Sequence, residues 1–155
     1  MKYKSLLIFI FFIFLSSCGF KPIFSEKSLN IKINKLEISG DREASEAIEK
    51  SFKTYLTNEK EENSLQLELS VTSNKTVMSK DNLGNADTYQ IKMEIDVKGV
   101  MDGIDILIIK IIEEMNYNAE SSEAQTLIVE KNIIKDLSKL IVNEVIVSLN
   151  DEIQK

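Results

Sequence analysis

The chain has 155 residues, with 19 Lys and Arg against 25 Asp and Glu, a formal net charge of −6, one Cys and no His. This acidic balance argues against a general nucleic-acid binder, whose footprint is a basic face. Without histidine the commonest general base and metal ligand is missing, and no phosphate loop, dinucleotide fingerprint or nucleophile elbow is present; the sequence predicts neither an enzyme nor a cofactor.

Lys2 and Lys4 precede an unbroken apolar run from Leu6 to Leu15, followed by Ser16, Ser17 and the lone Cys18. A basic start, a short apolar core and small residues describe a bacterial secretory signal. The run is too short for a spanning helix, which needs about 20 apolar residues. An A-x-A-like cleavage pattern is absent. The order Leu15-Ser16-Ser17-Cys18 resembles a lipobox, the signal of a bacterial lipoprotein. That resemblance implies a diacylglycerol thioether on Cys18, removal of residues 1–17 and acylation of the new amino terminus. The bland alternatives for Cys18 are a stray thiol or an intermolecular bridge. The predicted organisation is a signal peptide over 1–17, an acylated tether over 18–28 and one domain over 29–155. Losing Lys2 and Lys4 leaves 17 basic residues against 25 acidic ones, a net charge of −8. A single cysteine allows no intrachain disulfide, so stability must come from packing.

The tether opens with Gly19, Phe20, Lys21 and Pro22, the only proline. Ile31 and Ile33, then Leu36 and Ile38, alternate with polar residues and predict a first strand with a phase slip, a candidate bulge, near Lys35. Asp41 is a plausible N-cap for a helix. Ala44, Ala47, Ile48, Phe52, Tyr55 and Leu56 recur at helical spacing, which predicts a helix reaching about Asn58. Residues 59–63 form a polar break.

Leu65, Leu67, Leu69 and Val71 alternate with Gln66, Glu68, Ser70 and Thr72, giving a second strand that continues through Val77 to Ser79. Lys80-Asp81-Asn82-Leu83-Gly84-Asn85 supplies hairpin turn chemistry. Tyr89, Ile91, Met93, Ile95 and Val97 then alternate with Gln90, Lys92, Glu94, Asp96 and Lys98, as expected of a sheet with one buried and one wet face. Asp102-Gly103 signals a tight hairpin. The fourth strand, Ile104 to Asn118, is so apolar that its centre is either covered on both faces or an edge in need of a partner. Ser122 with Gln125 fits a capping box for a long final helix. Its stripe is Ala124, Leu127, Ile134, Leu137, Ile141 and Val145, widened by Ile133, Leu140 and Leu149. A coiled coil is the structural alternative, but the stripe is too wide for a strict heptad seam. The predicted fold is α+β, ordered β-α-β-β-β-α, with a four-stranded sheet and both helices on one face.

This order behind a lipobox resembles the LptE family of lipopolysaccharide (LPS) assembly lipoproteins. Cys18-Gly19-Phe20-Lys21-Pro22 is similar to the Cys-Gly-aromatic-basic opening frequent there. Ser79 through Gln90 resembles the family hairpin: a basic residue, a polar Gly-containing turn, then Ala-Glu/Asp-Tyr-Gln running into an alternating strand, which this chain writes as Ala86-Asp87-Thr88-Tyr89-Gln90. Tyr117-Asn118-Ala119 resembles the strand end before the family's last helix. The resemblance spans almost the whole mature chain.

Membership would imply an outer-membrane lipoprotein, anchored on the periplasmic side, that plugs the lumen of the β-barrel LptD, assists its assembly and helps LPS reach the outer leaflet. Gly19 in place of aspartate after the acylated cysteine would favour the outer membrane. Lys80 matches the family's basic hairpin residue and is the candidate contact to LPS phosphates, with Lys75 as a second charge. The bland reading of both is a solvated lysine near a turn. A second basic position, before the last helix, has no counterpart: Glu120, Ser121, Ser122 and Glu123 stand there. Tyr89 and Tyr117 are expected to be packing residues. The competing function is another small lipoprotein, such as a carrier of an apolar ligand or a general barrel-assembly accessory; the carrier would need an interior cavity, which the sheet's wet face disfavours.

Overall fold

Asn34 sets where the sheet begins. The computed structural model describes residues 31–57 and 64–154; the signal segment, Cys18, Phe20 and Pro22 lie outside them. Asn34 sits at a bend, its N–H donating to the Leu65 carbonyl (2.9 Å) and its Oδ1 accepting from the Leu65 N–H (3.0 Å). β1 (Lys35–Gly40) starts after this bend and pairs parallel with β2 (Leu65–Lys80). The expected phase slip is thus a break ahead of the strand. Ile33, on its far side, bridges to Leu56 instead.

Helix α1 (Arg42–Phe52) is capped by Asp41, whose Oδ1 accepts from the Ala44 N–H at 3.0 Å. Ala44, Ile48 and Phe52, one turn apart, are its buried residues. The sequence predicts six more residues of helix, but α1 stops at Phe52. Residues 53–55 turn, the Ile33 N–H donates to the Tyr55 carbonyl (2.8 Å), and the Thr57 N–H donates to the Ile33 carbonyl (3.0 Å). Pairing with Ile33 satisfies backbone groups that further helix would have used, so tertiary structure overrides the apolar spacing of Tyr55 and Leu56.

β3 (Ala86–Met101) pairs antiparallel with β2, and β4 (Ile104–Asn118) pairs antiparallel with β3. The sheet order is β1-β2-β3-β4. Asp102 (φ 52°) and Gly103 (φ 81°) join β3 to β4, both with the positive φ that a type I′ turn requires. Helix α2 (Glu123–Ile153) starts at Ser122, whose Oγ accepts from the Gln125 N–H at 3.3 Å. Only half of the capping box forms, because the Gln125 side chain accepts from the Ser121 hydroxyl (2.8 Å).

Both helices cover the odd-numbered face of β2, β3 and β4. Leu67, Met93 and Ile95 of the sheet are fully buried with Ile48, Phe52, Leu137 and Ile141 of the helices. Burial of this kind contributes about 25 cal/mol per Å² of apolar surface. The stripe of α2 follows the predicted one through Ile133, Ile134, Leu137, Ile141, Val145 and Leu149, which are buried; Val142 and Ile146 join them, whereas Ala124, Leu127 and Leu140 are exposed. Among the described residues no helix is long and apolar enough to cross a membrane.

Candidate functional site

The end of the sheet that carries Lys75 and Lys80 lies beyond the reach of α1. β2 and β3 run past the last residue of β1, so the odd face there is roofed only by the first turns of α2. Along β2, Leu65, Leu67, Leu69 and Val71 are buried, while residues from Asn74 onward are exposed. Two register shifts, between Val77 and Ser79 and between Ser79 and Lys80, distort the ladder just before the turn.

Lys75 is drawn inward. Its Nζ lies 2.6 Å from Glu130 Oε2 of α2, 4.4 Å from the Tyr89 ring centre and 5.9 Å from that of Tyr117. Tyr89 and Tyr117 are directly opposed in the β3–β4 register and stack at 5.4 Å. The Tyr117 hydroxyl donates to the same Glu130 oxygen at 3.3 Å. Burial disfavours the charge on Lys75, but its hydrogen bonds to Glu130 and Tyr117 outweigh that and raise its pKa above the ordinary lysine value. Burial also raises the Tyr117 phenol, opposed by its contact with Lys75. The tyrosines are packing residues, as expected, and they also form the aromatic seat of a cation. Glu130 is the member that sequence reasoning missed; it lies 55 positions from Lys75, and no local pattern connects them.

Lys80 stands apart. It ends β2 opposite Ala86, is exposed, and makes no ion pair among the described residues. The structure does not bring the two lysines together: five residues of strand separate them, roughly 16 Å. Asp81, next to Lys80, is occupied by the turn. Its Oδ1 accepts from the N–H groups of Leu83 and Asn85, both at 2.8 Å, and its Oδ2 from the Asn85 amide at 3.1 Å. The Asn85 side chain and backbone hold this carboxyl below the usual aspartate pKa.

The neighbouring strand end brings more acid. The Ala119 N–H donates to the Asp87 carbonyl (2.8 Å), which sets the Glu120–Glu123 segment beside the hairpin stem. Ser79 Oγ donates to Asp87 Oδ2 at 3.4 Å. Lys80 is therefore a lone cation in acidic surroundings, while the charge of Lys75 is answered by Glu130. Such an end can offer one point charge to a phosphate but is no polyanion cradle.

Comparison with known proteins places the fold. No protein-family model matches the sequence, and no curated protein matches it. Among solved structures, rare lipoprotein B from Shewanella oneidensis superposes with a TM-score of 0.56 at 14% identity, covering 79% of this chain and 100% of its own. Lipoprotein B from Nitrosomonas europaea superposes with a TM-score of 0.51 at 12% identity, over 78% of this chain and 85% of its own. A protein from Caulobacter crescentus CB15 gives 0.55 at 9% identity, over 81% and 92%. At these identities the likeness is one of fold.

Proposed function

We propose that this chain is an LptE-type lipoprotein: anchored through acylated Cys18 in the periplasmic leaflet of the outer membrane, its domain serves as plug and assembly partner of the LptD β-barrel in LPS export. The observation that carries the reading is the conjunction of a lipobox-like start with the β-α-β-β-β-α fold shared with rare lipoprotein B over 79% of the chain. Anchoring through more than one acyl chain is strong, since each buried methylene contributes about 0.8 kcal/mol.

The chemistry of the surface agrees with a polar lumen. The outer sheet face carries Glu68, Asp96, Lys98 and Lys110 around a shallow groove. A carrier of apolar ligands finds less support, because the space between sheet and helices is filled by the domain's own side chains, Phe52, Met93 and Leu137 among them. Contact with LPS, if made by this chain, falls to Lys80, the exposed lysine, rather than to Lys75.

The deciding experiment is affinity purification of the full-length lipoprotein from detergent-solubilised outer membranes, with mass spectrometry of what accompanies it. The reading expects a stoichiometric large β-barrel. Recovery of the lipoprotein alone, while other outer-membrane complexes survive, would overturn it.

A further inference from the structure

The helix layer carries charge that the outer sheet face does not. On the sheet, Lys35, Lys92, Lys98 and Lys110 each lie 3.1 Å or less from a carboxylate. Between α1 and α2 runs a groove of about 600 Å³, with Lys50 on the α1 side and Lys131, Lys135 and Lys139 on the α2 side. All of these lysines are exposed. Lys139 is held by Asp136 at 2.8 Å, but Lys50, Lys131 and Lys135 make no ion pair among the described residues. The acids that share the groove are Glu43 and Glu46. Glu46 is held by Arg42 at 3.1 Å, and Glu43 sits in the first turn of α1, where the helix dipole favours a carboxylate. The groove is therefore positive, in a mature chain whose net charge is −8.

We infer that this groove receives an extended acidic segment of the β-barrel partner, with carboxylates at every second residue set against Lys131 and Lys135. The inference rests on the LptE-type reading and deepens it, by naming a contact surface and the chemistry that fills it.

The spacing of the lysines selects an extended chain. Lys131 and Lys135 are one helical step of four apart, a rise of about 6 Å along α2. Alternate residues of an extended strand are roughly 6.7 Å apart and point the same way. An Asp/Glu-x-Asp/Glu segment laid along α2 thus meets both lysines in register, whereas a lone phosphate meets one. Lys50 answers the segment from the opposite wall. The floor also suits a peptide. Ile134 and Val142 are buried beneath the groove and Ala47 is half-buried, so apolar side chains find a dry base, while the exposed amides of Asn132 and Asn143 can pair with a backbone. The volume is that of a ligand cleft, about 300–1,000 Å³.

The test couples the groove to its occupant. The full-length lipoprotein is purified from detergent-solubilised outer membranes as above and treated with a carbodiimide. This reagent condenses an amine and a carboxylate in contact into an amide and takes up the water released. Peptide mass spectrometry should find Lys131, Lys135 or Lys50 joined to an Asp or Glu of the barrel. The internal pair Lys75–Glu130, at 2.6 Å, shows that the reagent has acted. In parallel, Lys131→Glu with Lys135→Glu turns attraction into repulsion and should lower the barrel recovered per lipoprotein roughly ten-fold. Lys131→Arg with Lys135→Arg should retain it, and both variants should melt as wild type does. A barrel that accompanies wild type and the Glu variant equally, with none of the three lysines coupled to it, would overturn the groove and leave the LptE-type reading standing. Loss of bound LPS or anionic phospholipid from the Glu variant, at unchanged barrel recovery, would assign the groove to phosphate instead. Absence of any barrel from wild type would overturn that reading and this inference together.

Discussion

Gly40 is the joint between β1 and α1, and replacing it with alanine tests how tightly that joint is specified. Its φ is 108°, a conformation that side-chain-bearing residues rarely adopt, and an added Cβ would lie 2.0 Å from the Val71 carbonyl oxygen. Real contacts of this kind do not fall below 3.0 Å, so strand and helix must part by at least the difference. The backbone conformation alone costs about 1–3 kcal/mol. Displacing the Val71 carbonyl breaks its 2.9 Å bond from the Asp41 N–H, worth about 1 kcal/mol. The same movement disturbs the Asp41 cap on Ala44, worth about another 1 kcal/mol. Gly40→Ala should therefore lose about 3–5 kcal/mol, which for a urea slope near 2 kcal/mol/M lowers the midpoint by roughly 2 M. Gly84→Ala is the control. It too has positive φ (87°), but nothing lies within 4 Å of the added Cβ, so only about 1 kcal/mol is at stake. Urea unfolding of both variants, followed by circular dichroism with slopes compared, separates steric from conformational cost. Equal midpoint shifts for the two would refute the reasoning.

Three further outcomes are expected. Leu137→Ala opens a cavity at a fully buried position and should cost about 3–5 kcal/mol, whereas Leu127→Ala, at 48% exposed, should cost less than about 1 kcal/mol; a reversed order in thermal melts would mean that α2 packs on another stripe. Glu130→Gln removes the carboxylate shared by Lys75 and Tyr117 and should cost about 1 kcal/mol at neutral pH, the upper range for a partly exposed pair. Both Lys75 and Tyr117 have raised pKa values, so the folded state holds protons that the unfolded state releases; their contribution is complete below pH 10 and lost as pH rises through the folded values. The gap between wild type and Glu130→Gln should accordingly narrow in unfolding titrations above pH 10, and a gap that widens there would contradict the assignment. Lys80→Asp should leave the melting temperature within the small range of surface substitutions and weaken LPS binding. Unchanged binding at low salt, where an exposed phosphate contact is least screened, would remove Lys80 from the site.

The strands were legible because their signal is local. The period-two alternation in β2 and β3 matches the buried positions Leu65 to Val71 and Ile91 to Val97, and Asp102-Gly103 forms the turn its residue types require. What failed to show in the sequence was non-local. The end of α1 depends on Ile33, twenty residues upstream of the break, competing for the backbone of Tyr55 and Thr57. The true stripe of α2 is so wide that its apolar spacing leaves its edges open, and the sheet selects them: Val142 and Ile146 go in, Leu127 and Leu140 stay out. The apolar run of β4 was compatible with burial on both faces or with an edge; its exposed Ile108 decides for the edge. Around the site, Lys80 and the turn were legible, but the partnership of Lys75 with Glu130 arises only when α2 folds across the end of the sheet.

That partnership bears on which part of the proposed function the domain can perform. A surface that grips several phosphates must leave several cations unanswered. Here the cations of the outer sheet face are answered in place: Lys92 and Lys110 both reach Glu94, at 2.7 and 3.0 Å, and Lys98 reaches Asp105 at 3.1 Å. Hydrogen bonds from Lys92 and Lys110 hold the Glu94 carboxyl below its ordinary pKa. Lys75 is answered by Glu130, and Lys80 is followed by Asp81 and stands across the ladder from Ala86, the neighbour of Asp87. Exposed pairs of this kind add little stability, but they leave a polar face with little net field, able to lie against a hydrated protein wall without attracting polyanions. The charge distribution therefore supports a plug more strongly than a ligand grip. Of the two activities joined in the LptE-type reading, barrel partnership rests on the whole outer face and LPS contact on Lys80 alone, so Lys80→Asp should sever the second while the purified barrel complex stays intact.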